Sequence, residues 1–178
     1  MLLARMPPPL RVAPRDATSS VLDQRHLGRH VTDPALVLRA MLDRVRPGGF
    51  LACDEQELAA ACCVPATPVF AQSVDLAYRA ARSRGTDLDY GRAVFGQFRE
   101  LGCVDVDLEV VQPALTSPAT KRLWPMFFRS ARPSLLQSGL IGEPDLDAIV
   151  AGLDALADDD RCYCLAMRNH QVLGRRPG

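Results

Sequence analysis

The stretch HVTDPALVLRAMLDRVRPGGFLACDEQE, residues 30–57, constrains the possible fold more than any other part of the chain. Asp33 and Pro34 suit the N-cap and the first turn of a helix. Apolar residues then recur at the three- and four-residue spacing of one helix face: Leu38, Met41, Leu42 and Val45. The RPGG that follows predicts the end of this helix, and the apolar run FLAC predicts a strand buried on both faces. A helix that passes through a glycine turn into a buried strand is typical of an α/β protein.

The rest of the chain continues this alternation. Apolar periodicity and turn residues predict strands at 20–27, 103–111 and 162–167, and helices at 68–84, 90–101 and across most of 118–160. Strands that alternate with helices indicate one α/β domain with a mostly parallel sheet, over residues 20–170, with a helical insert at about 116–160 before the last strand. The flanks are predicted to be an irregular arm rich in Pro and Arg (1–19) and a tail (171–178).

The segment CVDVDLEVV, residues 103–111, alternates strictly between apolar and acidic side chains. This is the pattern of a strand with one face packed and one face in water. Asp105, Asp107 and Glu109 would repel one another if they were buried together, because no cation stands between them. They are therefore predicted to form a solvated sheet face rather than a site.

Charge and hydropathy argue against two classes of partner. The chain carries 21 basic and 21 acidic residues, so no field of one sign is available to hold nucleic acid or anionic lipid. No apolar run approaches the roughly 18–20 residues that span a bilayer, and three prolines interrupt the short apolar patch near Met1. No nucleic-acid or membrane partner is expected. The expected compartment is the cytoplasm, where thiols stay reduced.

The six cysteines lack the paired spacing, with matching histidines, that a metal site requires. Cys162 and Cys164 are two residues apart in a predicted strand, so they share one of its faces. We expect buried structural thiols, and no metal centre is predicted.

The block HVTDPALVLRAMLDRVRPGGFLACDE resembles the second half of a class I S-adenosylmethionine-dependent methyltransferase. In that family a strand ends near a histidine and Asp-Pro, a helix leads into an RPGG or KPGG turn, and the next strand ends on an acid. YGRAVFGQFRELGCVDVDLEVVQP is similar to the helix, turn and sixth strand that follow, and RCYCLAMRN to the seventh strand. The resemblance implies a partial Rossmann-like sheet made of the fourth to seventh strands. It also implies that 103–111 and 161–169 are antiparallel neighbours at one sheet edge.

The resemblance does not extend to the glycine-rich half of the family. There, a glycine-rich turn after the first strand approaches the cofactor, and an acid after the second strand binds the ribose. The stretch PPPLRVAPRDATSS before residue 20 contains no glycine. The family cofactor, S-adenosylmethionine, is therefore expected to bind weakly or not at all. The strand at 20–27 becomes an open edge, which implies a homodimer or a partner that completes the sheet.

Residues after the first predicted strand border the methyl-donor pocket in the family. The resemblance implies cofactor contacts at Gln24, Arg25 and His26, and it makes His30 the candidate catalytic general base. A histidine at the start of a helix also finds backbone partners easily. Packing at the junction between strand and helix is therefore the alternative for His30.

Six side chains are candidates for substrate contacts: Asp54, Glu55, Glu57, Trp124, Phe127 and Phe128. The three acids follow the FLAC strand, at the carboxyl end where open α/β sheets place ligands; a solvated strand end is the alternative. The three aromatic residues belong to the insert, which often walls a substrate pocket in the resembling family. Aromatic residues at helical spacing also form plain core, which is the alternative for them.

Two hypotheses for the function remain. In the first, the chain is a methyltransferase-like protein that acts on a small molecule and is inactive or weakly active alone. The insert then caps the substrate, and catalysis comes mainly from alignment. In the second, the chain is a non-catalytic accessory or ligand-binding subunit, or a pocket enzyme without a cofactor, derived from such an enzyme.

Overall fold

The computed structural model describes residues 19–178. Within them, strands form two sheets: β1 (Ser19–Arg25), β2 (Val45–Glu57), β3 (Cys62–Val64), β4 (Val104–Val111), β5 (Ala114–Leu115), β6 (Tyr163–Leu165) and β7 (Arg168–Arg175). The main sheet has the order β1-β2-β7-β4. β1 and β2 are parallel, while β7 is antiparallel to both β2 and β4. This order confirms the α/β class and the partial Rossmann-like arrangement expected of the fourth to seventh strands. The expectation of a mostly parallel sheet is wrong, because among the described strands only β1 and β2 pair in parallel. The chain returns from the second sheet through β6 into β7, which runs opposite to its neighbours on both sides.

The strand beside β4 is not the one that the sequence predicted. Residues 163–165 lie in the second sheet, so the expected pairing of 103–111 with 161–169 is wrong. The neighbour of β4 is β7, which includes most of the predicted tail at 171–178. The sequence of β7, RNHQVLGR, is largely polar, because only Val172 and Gly174 are buried in it. Hydropathy therefore did not reveal this strand.

The chain also forms helices on and beside this sheet: α1 (Pro34–Leu42), α2 (Pro68–Arg82), α3 (Gly91–Glu100), α4 (Pro118–Lys121), α5 (Leu123–Gln137) and α6 (Glu143–Asp158). α1 and α3 pack on one face of the main sheet. Their shared core includes Leu38, Leu51, Val94 and Phe98, each at most 2% exposed.

The predicted junction between helix and strand differs from the observed one in detail. Asp33 caps α1 as predicted, since its side chain accepts a hydrogen bond from the Leu36 amide (3.0 Å). The helix ends at Leu42, however, and residues 46–49 form a bulge at the start of β2 rather than a helix stop. Gly48 in this bulge has φ of +75°, which favours glycine.

Three strands of the main sheet continue into the second sheet. β2 leads through residues 58–61 to β3, β4 leads through 112–113 to β5, and β6 leads through 166–167 to β7. The second sheet has the order β3-β6-β5, which matches the order β2-β7-β4 in the first. β2, β7 and β4 are antiparallel to their neighbours in this order, and so are β3, β6 and β5. The second sheet therefore continues these three strands of the main sheet beyond a short break in each of them.

Gln112 connects the three interruptions. Its side-chain amide donates to the carbonyl oxygens of Ala60 (2.7 Å) and Ala166 (3.0 Å). The Ala166 amide in turn donates to the carbonyl of Pro113 (2.9 Å). Backbone groups that leave a ladder need other partners when they are shielded from water. Gln112 supplies them and fixes the spacing of the strands where the sheet is broken.

The second sheet packs with α2, α4, α5 and α6 into a unit with its own core, called the cap below. The largest side chains of that core are apolar and include Phe70, Phe128, Leu146 and Leu153. Lys121 is also buried, at 1% exposed. Its ammonium group donates to two backbone carbonyls just after α6, those of residues 159 (2.5 Å) and 162 (3.2 Å).

The second face of the main sheet is less apolar than the family resemblance implied. Within residues 19–178, no helix packs on it as extensively as α1 and α3 pack on the first face. Its exposed apolar side chains include Val21 and Leu173, but half-buried Asp23 and Asp54 stand among them. In the described part of the chain β1 pairs only with β2, so it is an edge strand as expected.

β4 forms the other edge of the main sheet. Asp105, Asp107 and Glu109 are exposed, as its alternating sequence predicted. Leu108 and Val110 on the opposite side are exposed as well, at 38% and 47%. The alternation identified the strand correctly but overestimated how much of its apolar side is covered.

Most thiols are buried, as the sequence predicted: Cys53, Cys63, Cys103, Cys162 and Cys164. Burial raises the pKa of both Cys53 and Cys164 to about 12, so these thiols stay protonated at neutral pH. None of the helices within residues 19–178 has the length and hydropathy needed to traverse a bilayer.

Candidate small-molecule site

A cavity of about 430 Å³ lies where the cap meets the carboxyl-terminal end of the main sheet. α2 contributes Ala77 and Ala81 to its wall, and α5 contributes Trp124 and Phe127. The interrupted strands supply a further part of the lining, including Met167. Pockets for small organic molecules span about 300–1,000 Å³ and have mainly apolar walls. This cavity has both properties.

The polar groups of the cavity form a chain of hydrogen bonds at its sheet end. Arg29, in the turn after β1, donates from Nη1 to Oε1 of Gln56 (2.7 Å). Gln56 donates from Nε2 to Oδ1 of Asn169 on β7 (3.3 Å). All three residues line the cavity. The arrangement holds Arg29 in place and leaves polar groups at one end of an otherwise apolar space.

His30, the candidate general base, also lines the cavity. Its Nε2 atom lies 3.1 Å from Nε of Arg29. An arginine can only donate, so His30 Nε2 must accept and the ring proton lies on Nδ1. Desolvation and the Arg29 guanidinium lower the pKa of His30, which keeps its ring neutral at pH 7. In this arrangement Arg29 occupies the lone pair that a general base would use.

The aromatic residues of the insert divide between the cavity and the core. Trp124 and Phe127 line the cavity, and Trp124 packs edge-on against Phe70 with ring centroids 4.9 Å apart. Phe128 is 0% exposed and belongs to the cap core instead. Arg129 forms an ion pair with Asp154 on α6. Of this group, only Trp124 and Phe127 are placed to contact a ligand in the cavity.

Two of the residues expected at the cofactor make contacts within the protein. Gln24 is buried, donates to Cys53 and Glu55, and accepts from the Leu27 amide (3.1 Å). Its polar atoms are therefore engaged within the protein. Arg25 pairs with a neighbouring acid, Asp23, at 3.2 Å. Within residues 19–178, no strand lies beyond β1 to carry the glycine-rich turn that the cofactor needs.

His26 lies in the tight turn after β1. Its φ is +54°, and its backbone amide donates to the carbonyl of Asp54 (2.8 Å), which ties the turn to β2. The Nδ1 atom of His26 is buried without a partner among the described residues. The geometry shows a role in shaping the turn.

The acids at the end of the FLAC run lie inside β2, not beyond it. Glu55 is 0% exposed, and its Oε1 atom accepts from Gln24 (3.0 Å) and from the Gly28 amide (2.5 Å). Its Oε2 atom has no partner among the described residues. Asp54 points to the opposite face, where it accepts from Gln171 (3.2 Å). A solvated strand end, the alternative for these acids, is therefore wrong for Glu55.

Glu57 is buried in an ionic cluster on the α3 side of the sheet. It accepts from Arg92 (2.8 Å) and from His170 Nε2 (2.9 Å), and Arg168 lies 3.8 Å away. Burial alone would raise the pKa of Glu57, but the hydrogen bonds from His170 and Arg92 outweigh it and lower the pKa. Glu57 does not line the cavity, so its cluster ties β2, β7 and α3 together.

Five polar residues of the cavity were not predicted from the sequence: Arg29, Gln56, Arg84, Thr86 and Asn169. One signal was available for Gln56. Side chains alternate along a strand, so if Glu55 and Glu57 face α3, Gln56 must face the other way. Asn169 lies opposite Gln56 in the register of β7, a strand that hydropathy did not reveal.

No protein-family model matches this sequence, and no curated protein matches it. Two solved structures of a phosphoethanolamine N-methyltransferase 2 from Haemonchus contortus are similar in fold. One contains phosphomonomethylethanolamine and S-adenosylhomocysteine, with 14% identity and a TM-score of 0.44 over 89% of this chain and 34% of that one. The other contains S-adenosyl-L-methionine, with 13% identity and a TM-score of 0.45 over 89% and 33%.

A third solved structure, from Bacillus halodurans and provisionally described as a methyltransferase, has 13% identity and a TM-score of 0.47. It is matched over 94% of this chain and 68% of that chain. The chain thus spans about one third of the length of the two Haemonchus contortus structures that it matches. Likenesses of this extent do not assign the chain to a family, and they carry no activity over to it.

Proposed function

We propose that this chain binds a small organic molecule in the cavity under the cap, as the substrate-holding part of a methyltransferase-like protein. The observation that carries the proposal is the cavity of about 430 Å³, with apolar walls from α2 and α5 and polar groups at one end. Sites for small molecules combine apolar walls with a few polar groups that fix orientation.

Methyl transfer by residues 19–178 alone is not part of the proposal. Gln24 is engaged within the protein, and β1 has no further strand beside it among the described residues. Activity would need the glycine-rich part of the donor site, supplied by a further segment of chain or by a partner. An accessory or ligand-binding subunit would use the same cavity, so the two hypotheses share the binding step.

The binding step can be tested with a pair of variants on α5. Phe127 and Met126 are about equally exposed, at 50% and 55%, but only Phe127 lines the cavity. A thermal-shift screen with a panel of small organic molecules should find ligands that stabilise the wild type and Met126→Ala. A ligand at a hundred times its Kd stabilises by about 2.7 kcal/mol. The Phe127→Ala variant should show a markedly smaller shift. No hit at all, or equal losses in both variants, would contradict the proposal.

Binding of S-adenosylmethionine is expected to be weaker than about 1 mM, or less than roughly 4 kcal/mol. The physical reason is the lack of a glycine-rich turn beside β1 within residues 19–178. Isothermal titration calorimetry on the purified chain measures it. Micromolar affinity would instead favour an active methyltransferase.

Association through β1 is also proposed, since an edge strand offers unpaired backbone groups to a second copy or to a partner. The charged residues on the second face, Asp23 and Asp54 among them, make that face a weaker candidate for contact than the edge itself. Sedimentation velocity at micromolar concentration should show a species heavier than the 19.4 kDa chain. A stable monomer would rule out self-association.

A further inference from the structure

The fixed charges on the wall of the cavity are all positive. Arg29 and Arg84 line it, beside His30, and no aspartate or glutamate of the described residues does. Arg29 is half-buried, and a cation in such a place is costly unless an opposite charge approaches it, because water screens it poorly there. Arg84 is exposed and adds a second positive charge to the same wall. An anion that enters the cavity would supply the opposite charge.

Arg29 is held so that part of its guanidinium group remains free. Nε donates to His30 and Nη1 donates to Gln56 (2.7 Å), which fixes the plane of the group. Nη2 makes no hydrogen bond to any residue within 19–178. A guanidinium group fixed in this way is preorganised for the planar, two-oxygen face of a carboxylate or phosphate.

Three arginines at the start of α5 or within it already have acidic partners. Arg122, Arg129 and Arg132 each form ion pairs with acids on α6. Within residues 19–178, neither Arg29 nor Arg84 forms an ion pair. Burial lowers the pKa of Arg29 and the nearby Glu55 partly offsets this, but Glu55 already accepts from Gln24 and Gly28.

The rest of the lining favours an apolar group. It includes Trp124, Phe127 and Met167, with the small side chains of Ala77 and Ala81. Aromatic rings and a thioether offer dispersion contacts but few hydrogen bonds. A ligand that matches both kinds of lining has one anionic head and one apolar body.

We propose that the cavity binds an organic anion, with a carboxylate or phosphate head at Arg29 and Arg84 and an apolar body against Trp124 and Phe127. This inference rests on the proposed function, since it names the class of molecule that the same cavity takes. The two head groups share the chemistry that arginine recognises, and the experiment below distinguishes them.

The chain contains a single tryptophan, Trp124, so its fluorescence reports directly on the cavity. The full chain is titrated with octanoate, octyl phosphate, 1-octanol and octylamine, which share one apolar body. At least one anion should bind about tenfold or more tighter than octanol, and octylamine should bind weakest. The tighter of the two anions identifies the head group.

Variants of the arginines test the assignment. Arg84→Gln and Arg29→Gln should each lower anion affinity by about tenfold and leave octanol affinity unchanged. Arg82→Gln is the matched control, because Arg82 is the last residue of α2, two positions before Arg84, and it stacks on Tyr78 and does not line the cavity. The side chain of Arg84 is exposed, so Arg84→Gln should fold normally even if Arg29→Gln does not.

Three results would overturn the inference. If octanol binds as tightly as both anions, the proposed function stands but the anionic head is wrong. If Arg84→Gln and a folded Arg29→Gln keep the full preference for anions, the head lies elsewhere. If none of the four compounds changes Trp124 fluorescence or binds by calorimetry, both the inference and the proposed function fail.

Discussion

Carboxylates lie inside the main-sheet part of the molecule but on or near the surface of the cap. Glu55 and Glu57 are 0% and 3% exposed in β2, each hydrogen-bonded by side chains or backbone amides from neighbouring elements. In the cap, acids such as Asp154 and Asp158 pair with arginines at the surface. The cap core is apolar except for Ser73 and Lys121. The stability of the two parts should therefore respond differently to mutation and to pH.

The largest effect is expected in the apolar core of the cap. Phe128→Ala should destabilise the protein by about 3–5 kcal/mol, because it removes a fully buried ring and leaves a cavity. Met126 lies two residues before Phe128 on α5 and is 55% exposed, so Met126→Ala should change stability by less than about 0.5 kcal/mol. Urea unfolding at pH 7 measures both. Similar losses in the two variants would mean that α5 is placed wrongly.

A smaller effect, dependent on pH, is expected at the buried carboxylate. Glu57→Gln should cost about 2 kcal/mol at pH 7, since it weakens charge-assisted hydrogen bonds with His170 and Arg92. The folded state lowers the pKa of Glu57, so its contribution is present above the usual value of 4.5 and is lost as pH falls below it. The wild type should lose this stability in acid, while the variant should show a flatter dependence.

The matched control for Glu57 is a surface ion pair of the cap. Asp154→Asn breaks the pair with Arg129 and should cost less than about 1 kcal/mol, because water and salt screen exposed charges. Urea titrations of both variants between pH 3 and 7, a range set by the usual carboxyl pKa of about 4, separate the two cases. If Glu57→Gln and Asp154→Asn lower the free energy of unfolding equally at pH 7, the buried carboxylate of the main sheet contributes no more than the exposed one of the cap.

An effect smaller than that of Glu57→Gln is expected where the two parts meet. Gln112→Ala should cost about 1 kcal/mol, since the carbonyls of Ala60 and Ala166 lose their donor but lie near solvent. Gln72→Ala, exposed on α2, is the control and should be neutral. Hydrogen exchange should show faster exchange at Ala166 in the Gln112 variant only. An unchanged exchange rate at Ala166 would mean that the Gln112 side chain does not stabilise the backbone where the strands are interrupted.

Local sequence patterns predicted most of the elements but not their junctions. The Asp33 cap, the stripe of α1 and the alternation of β4 each depend on neighbours in the sequence, and each appears in the structure. The bulge at 46–49 depends on pairing with β1, which lies elsewhere in the chain. β7 was missed for the same reason, since its polar residues are accommodated by their partners on β2 and β4.

The candidate site followed the same rule. Trp124 and Phe127 were singled out because they belong to the insert, which often walls a substrate pocket in the resembling family, and both line the cavity. Phe128 is an aromatic residue of the same insert, but its side chain is buried in the cap core. Which of the two neighbouring phenylalanines lines the cavity depends on how α5 is rotated about its axis. Arg29 and Gln56 form part of the site through a hydrogen bond between residues that are 27 positions apart in the sequence. No local pattern encodes such a contact.

The helical excursion of α4 to α6 leaves the second sheet after Leu115 and returns before Tyr163. Leu115 pairs directly with Cys164, so the two ends of the excursion are adjacent in space. The entropy of closing such a loop grows only slowly with its length, so the connections between its helices can lengthen without shifting the strands on either side. Trp124 and Phe127 belong to this excursion, whereas Gln56 belongs to the main sheet and Arg29 to the turn after β1. Substitutions at exposed positions of the excursion can therefore change the shape of molecule that the cavity accepts while the polar groups that orient it stay in place.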